Sequence, residues 1–102
     1  MKRILTVGGS DPFAGGGIQT DLKTFEDFGL FGLSALTSIG VLDTNGQFIL
    51  ESIPSELLER QLASIDQMTT LDGIKIGLLN SSEAIMVVRD FIKAKQNIPI
   101  IL

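Results

Sequence analysis

A chain of 102 residues, 44% of them apolar, is the size of one small domain with a modest core. Its 12 acidic and 8 basic residues give a formal charge of -4, which excludes the clustered positive surface that nucleic acid requires. With neither cysteine nor histidine, disulfides, thiolate chemistry, a histidine general base and a histidine metal site are excluded as well. No apolar run approaches the roughly 20 residues that span a bilayer. Asp11 and the glycines interrupt any signal-peptide core after Met1-Lys2-Arg3. A cytoplasmic chain with no nucleic-acid or membrane partner is expected.

Ile4 to Val7 is a short apolar run ending in glycines and reads as a buried first strand. The stretch Gly8 to Gly17 follows. Clustered glycine costs backbone entropy, so it predicts close approach of a ligand to bare backbone. Amides ahead of a helix also favour an anion or a polar ring substituent. The alternative is a permissive strand-to-helix turn with no ligand. The stretch is neither the dinucleotide fingerprint nor a Walker A loop, since no Gly-Lys-Ser or Gly-Lys-Thr follows.

A helix is predicted from Gly17 or Ile18 to Phe28, with Ile18, Leu22, Phe25 and Phe28 on one buried stripe. Gly29 is its C-cap. Leu33 to Leu42 reads as a central strand covered on both faces. Val7, Ile39 and Ile76 are expected to face the core on neighbouring parallel strands. Asp43-Thr44-Asn45-Gly46 predicts a hairpin turn returning through Gln47 to Ile53. Ser55 is the predicted N-cap of a second helix, whose face is Leu58, Leu62 and Ile65. Ile74 to Leu79 is a third core strand. Asn80 is the predicted N-cap of a last helix with Glu83 at N3. Ile85, Val88 and Ile92, with Phe91 beside them, form that helix's apolar face. Ile98 to Leu102 begins a final strand. This order predicts an α/β fold in three layers, a mostly parallel sheet with a β-hairpin excursion. Because the chain stops inside an apolar run, a fragment or half of a larger domain is expected.

In an open parallel sheet, ligands sit outside the carboxyl ends of the strands. That points to Gly8 to Gly17, Leu42-Asp43 and Leu78-Leu79. Asp21 is the best polar candidate. Its carboxylate is suited either to accept hydrogen bonds from a ring or to serve the helix dipole near the first turns. Asp11 caps or pins the loop. Lys75 is open to a phosphate, to solvent or to a partner carboxylate. Asp43 is most simply a turn residue.

Three motifs in order carry a family resemblance. They are Gly9-Ser10-Asp11-Pro12 through Gly15-Gly16-Gly17-Ile18-Gln19-Thr20-Asp21-Leu22-Lys23-Thr24-Phe25, then Ser34-Ala35-Leu36-Thr37, then Lys75-Ile76-Gly77-Leu78-Leu79. Together they resemble the N-terminal part of the hydroxymethylpyrimidine and phosphomethylpyrimidine kinases and their pyridoxal kinase relatives, in the ribokinase-like superfamily. The resemblance implies that residues 1–102 are the N-terminal portion of a single kinase domain of that fold. It implies substrate contacts from the Gly9 backbone and the Asp21 carboxylate. Leu42 stands where pyrimidine kinases usually carry glutamine, and Leu78 where they usually carry methionine. Some pyridoxal kinase relatives carry an apolar residue followed by aspartate, like Leu42-Asp43. Phe13 and Ala14 replace the usual small Ser-Gly pair. Phe13 therefore either covers the ring as a lid or narrows the pocket, in a loop completed by Gly15, Gly16 and Gly17.

The implied activity is ATP- and Mg²⁺-dependent phosphorylation of hydroxymethylpyrimidine or its phosphate in thiamine biosynthesis. The alternatives are a pyridoxal or pyridoxine kinase of vitamin B6 salvage, and a non-catalytic module that binds a small ring or a partner chain. In the family the catalytic base, the anion hole and the nucleotide region lie in a late glycine-rich part. No catalytic residue is therefore assigned in this chain, and a homodimer is a further implied partner.

Overall fold

The computed structural model describes residues 1–95 and 97–102. The chain runs β1 (Arg3–Ser10), α1 (Gly17–Asp27), β2 (Phe31–Leu42), β3 (Phe48–Ser52), α2 (Ser55–Met68), β4 (Gly73–Ile76), α3 (Ser82–Lys93) and β5 (Ile100–Ile101). The strands form one sheet in the order β3-β2-β1-β4-β5. Only the β2–β3 pair is antiparallel. The predicted element order and the hairpin excursion are both present.

Alternation along the strands builds the three layers. Leu5 and Val7 of β1 join Ala35, Ile74 and Ile76 in a core closed by Leu58, Leu62 and Val88 of α2 and α3. The intervening residues turn the other way, toward α1. Thr6 and Lys75 both reach Asp21 of α1. The space beside Gly32 is filled by Leu22 and Phe25 of the same helix. Both nitrogen and oxygen of the Gln61 side chain bond the Leu36 backbone at 2.9 Å, fastening α2 to β2.

From β1 the chain passes through α1 to β2 on one side of β1. It then returns through β3 and α2 to β4 on the other side. That reversal leaves a crevice at the carboxyl ends of β1 and β4. A bulge sits at its rim: Gly8 pairs with Leu36 and Gly9 with Ser38, so Thr37 is the extra residue. The Thr37 hydroxyl donates to the Leu78 carbonyl at 2.8 Å, and its carbonyl accepts from Ile53 at 2.9 Å. One bulged residue thereby links β2, the end of β3 and the loop after β4.

Several local expectations are corrected. Phe28 is 76% exposed because it is the C-cap of α1 and not a member of its buried stripe. Leu30 donates to the Phe25 carbonyl and Gly29 to that of Glu26, a Schellman ending with Gly29 at φ 73. Ile39 lies past the bulge, opposite Ser10 and Glu51, and is 40% exposed, so β2 is covered on both faces only in part. β4 stops at Ile76, and Gly77 just beyond it still donates to the Val7 carbonyl. Pro54, not Ser55, precedes α2 as its cap. Ser81, not Asn80, caps α3, accepting from the Ala84 amide at 3.0 Å. Asn80 takes a left-handed φ of 68 and donates to Ser52 Oγ. Ala84 and Val88 are the buried residues of α3, and Ile85 is exposed. Among the described residues no helix is long and apolar enough to cross a membrane.

Candidate active site: the acceptor cleft

A cleft of about 260 Å³ occupies the predicted crevice, floored by the backbone of Gly8 and Gly9. The loop between β1 and α1 forms one side. Asp11 organises it: Oδ1 accepts from the Phe13 amide at 2.9 Å and Oδ2 from the Gly15 amide at 3.0 Å. Of the two roles open to Asp11, pinning the loop is the one the geometry shows. Gln19 holds the loop from the helix side, accepting from the Asp11 amide and donating to Ser10 Oγ. Gly17 is the tightest point. Its φ is +68, and a Cβ there would lie 2.4 Å from the Gly9 carbonyl oxygen. No residue with a side chain fits that position without moving the floor of the cleft. Gly16 caps α1 in extended conformation without a side-chain bond.

Asp21 borders the cleft, but its carboxylate is already engaged on both oxygens. Thr6 Oγ1 donates to Oδ2 at 2.7 Å, and Lys75 Nζ donates to Oδ1 at 2.5 Å. The carboxylate is mostly buried, whereas the lysine is 35% exposed. Asp21 is the fifth residue of α1, and no acidic residue lies in that helix's first turn. It is therefore held by β1 and β4, not by the helix terminus. A carboxylate offers about four acceptor positions, so two bonds leave capacity for a donor from the cleft.

The other expected residues divide. Gly9, Asp11, Gly17 and Leu78 line the cleft with Asp21. Gly15 and Gly16 shape the loop without lining the cleft. Leu42 does not line it: at the end of β2 it is 53% exposed and pairs with Phe48 across the hairpin. Of the options open to Lys75, the structure shows a partner carboxylate. Asp21 occupies its ammonium, and its stem borders a separate 300 Å³ hollow beside Ile4 and Phe25. Phe13 is 66% exposed and meets Phe48, with ring centroids 6.4 Å apart at 52°.

Phe48 and Leu50 were not anticipated, yet both line the cleft. Their strand reads as a partly exposed edge, and only the pairing of β3 beyond β2 carries them over the ends of β1. The side chains of Thr6, Ser10 and Gln19 were missed for a similar reason. Each is an unremarkable polar residue until its partner is in place. The apolar wall of Phe48, Leu50 and Leu78 faces a glycine floor and the carboxylates of Asp11, which is tied to its own loop, and Asp21. That combination suits a small flat ring bearing a hydrogen-bond donor.

Comparison with known proteins identifies the family and the fold. A family model described as phosphomethylpyrimidine kinase matches residues 11–102. The hydroxymethylpyrimidine/phosphomethylpyrimidine kinase of Haemophilus influenzae is 40% identical over 95 residues, covering 93% of this chain and 35% of that protein. The pyridoxal kinase of Bacillus subtilis, solved as an ADP complex, superposes with a TM-score of 0.88 at 36% identity, covering 98% of this chain and 40% of that one. The pyridoxal kinase of Staphylococcus aureus, solved with AMP-PCP and pyridoxal, gives 0.83 at 35% identity, covering 92% and 35%. The chain spans about a third of the length of the curated kinases it matches, and less of the multifunctional ones. With a family match across nine-tenths of its length and the ribokinase-like sheet of these vitamin kinases, the chain belongs to the phosphomethylpyrimidine kinase family.

Proposed function

We propose that these 102 residues are the N-terminal portion of a ribokinase-like kinase domain, and that the cleft is its acceptor side. The reaction is transfer of the terminal phosphoryl group of ATP to the hydroxymethyl group of a pyrimidine, either hydroxymethylpyrimidine or its phosphate. The observation that carries this reading is the cleft itself: a glycine floor, the half-buried Asp21 carboxylate with spare acceptor capacity, and an apolar wall at the carboxyl ends of β1 and β4. Asp21 accepts from a ring substituent, the Gly9 backbone meets the ring, and Leu78 packs on it.

A second reading, phosphorylation of a pyridine such as pyridoxine, draws on a different observation. Among the described residues that line the cleft none carries a side-chain amide. Leu42 replaces the amide expected for pyrimidine recognition, and Gln19 is committed to the loop. Both readings need MgATP, and the nucleotide complexes of the related kinases support the use of ATP. Among the described residues no three carboxylates gather into a group that would hold a metal ion. The family resemblance puts nucleotide binding in a late glycine-rich region, and no residue of this chain is assigned to it. Phosphoryl transfer depends on groups that neutralise developing charge, so the chain alone is expected to form no product from MgATP and either ring. Product above a no-enzyme control, from chain of verified mass, would overturn that.

Ligand-observed NMR titration of hydroxymethylpyrimidine and of pyridoxine into the chain tests the acceptor role. Both are expected to bind. Asp21→Asn is expected to weaken both about tenfold, as for loss of a hydrogen bond to a charged group. Unchanged binding by a folded Asp21→Asn chain would leave Asp21 a purely structural residue.

A further inference from the structure

We infer that Phe48 is a ring-binding residue of the cleft: its ring is the wall on which a planar heteroaromatic ligand lies, and Gly40 is the residue that puts it there. The inference deepens the acceptor-site reading and rests on it. Phe48 is the single aromatic side chain among the described residues lining the cleft. Leu50, on the same face of β3, continues the wall, and Asp21 borders the same cleft. A volume near 260 Å³ is below the roughly 300–1,000 Å³ of sites for drug-sized ligands. It matches one substituted six-membered ring. Electron-poor pyrimidine and pyridine rings stack favourably on the electron-rich face of a phenyl group.

The position of the Phe48 ring is built into the hairpin. Phe48 pairs with Leu42, and Leu50 with Gly40. The ring leans diagonally across to Gly40, within reach of the long side chains of such neighbours. A Cβ on Gly40 would stand 2.4 Å from Phe48 Cζ and 2.8 Å from Cε1. The missing side chain of Gly40 is therefore the seat of the ring. Phe13 meets it from the opposite loop at 6.4 Å, within the usual range for tilted aromatic pairs. Leu42, placed in line with a ring-reading position by resemblance, instead pairs with Phe48 and does not line the cleft. In this site recognition of the ring passes from β2 to β3.

The test is the same NMR titration of hydroxymethylpyrimidine and pyridoxine, run on variants of the chain with thermal unfolding recorded for each. Phe48→Ala is expected to weaken both ligands about 5- to 10-fold. Phe48→Leu, which keeps bulk but loses the flat face, is expected to weaken them nearly as much, and it carries the test if the alanine variant does not fold. Gly40→Ala is expected to weaken binding as Phe48→Ala does. The double variant should be no weaker than either single one, and it should recover the melting temperature lost by Gly40→Ala. Ile49→Ala, on the other face of β3, is expected to bind as wild type. Wild-type affinity in Phe48→Ala or Phe48→Leu would overturn the assignment while leaving the acceptor cleft intact. Equal weakening by Ile49→Ala would also overturn it, because the effect would then be one of hairpin stability. If the wild-type chain binds neither ring, the acceptor reading falls and this inference falls with it.

Discussion

The loop between β1 and α1 and the turn between β2 and β3 face each other over the cleft, and both are tied by the same device. Asp11 accepts from the amides two and four residues ahead, those of Phe13 and Gly15. Asp43 does the same with Asn45 and Gln47, using Oδ1 for both. Phe13 of the first loop then meets Phe48, the residue that opens β3 just after the second. The surroundings differ. The Asp11 loop is packed against its own helix through Gln19 and forced through left-handed positions at Ala14 and Gly17. The Asp43 turn has only Gly46 at positive φ, and no atom crowds it within 4 Å. One polar motif thus serves two ends: shaping a backbone surface in a crowded place, and setting strand register in an open one.

The largest expected effect breaks the crowded side. Gly17→Ala combines a left-handed backbone with a Cβ 2.4 Å from the Gly9 carbonyl oxygen. A loss of about 2–5 kcal/mol is expected from backbone strain and overpacking together. Urea unfolding measures it, with Gly16→Ala as the nearly neutral control, since nothing lies within 4 Å of that position. A Gly17→Ala loss under half a kcal/mol would show that the loop relaxes freely.

Removing the two aspartates separately sharpens the comparison. Each of Asp11→Ala and Asp43→Ala deletes two exposed bonds to backbone amides, and each is expected to cost about 1–2 kcal/mol. Their amide hydrogen exchange should differ. The loss at Asp43 should speed exchange along β3, whereas the loss at Asp11 should stay within the loop, because Gln19 still holds its ends. Faster exchange throughout α1 in Asp11→Ala would mean that the loop and helix form one unit. Gly46→Ala comes next, at about 1–2 kcal/mol for left-handed strain alone, again read from urea unfolding. A larger loss would reveal packing around the turn.

The smallest effect should have the opposite sign. Ser38 pairs with Gly9 on one side and Ser52 on the other, and its fully buried hydroxyl has no partner among the described residues. Ser38→Ala removes that orphan group, and a gain of up to about 1 kcal/mol is expected. A loss on thermal unfolding would mean that the hydroxyl finds a partner in solution.

Much of this frame is legible along the chain. Alternating strands, the Asn45-Gly46 turn and the Gly29 helix end depend on neighbours a few residues away, and each appears where the pattern places it. Ser81 displaces Asn80 as a cap by one position, because Asn80 takes the left-handed turn that aims the chain into α3. Errors grow with distance. Lys75 finds Asp21 across 54 residues, which no local pattern encodes. Phe28 and Ile39 look like core residues in sequence but fall at a cap and beyond a bulge. In the cleft, Gly9, Gly17 and Asp21 were legible because their glycine-rich run is unusual in itself. Phe48 was not, because its role depends on a space left eight residues earlier in the opposite strand.

The Asp21 carboxylate has a consequence for the order in which the domain acquires its structure. Its two partners come from β1 and β4, one 15 residues before it and the other 54 after. During synthesis β1, α1 and β2 emerge with Thr6 already available, while Lys75 is still to be added. The early unit holds a carboxylate with one oxygen satisfied and the other turned to water. Arrival of β4 beside β1 supplies that second bond, so the clamp on α1 is completed only after both sides of the hairpin that walls the cleft have been made.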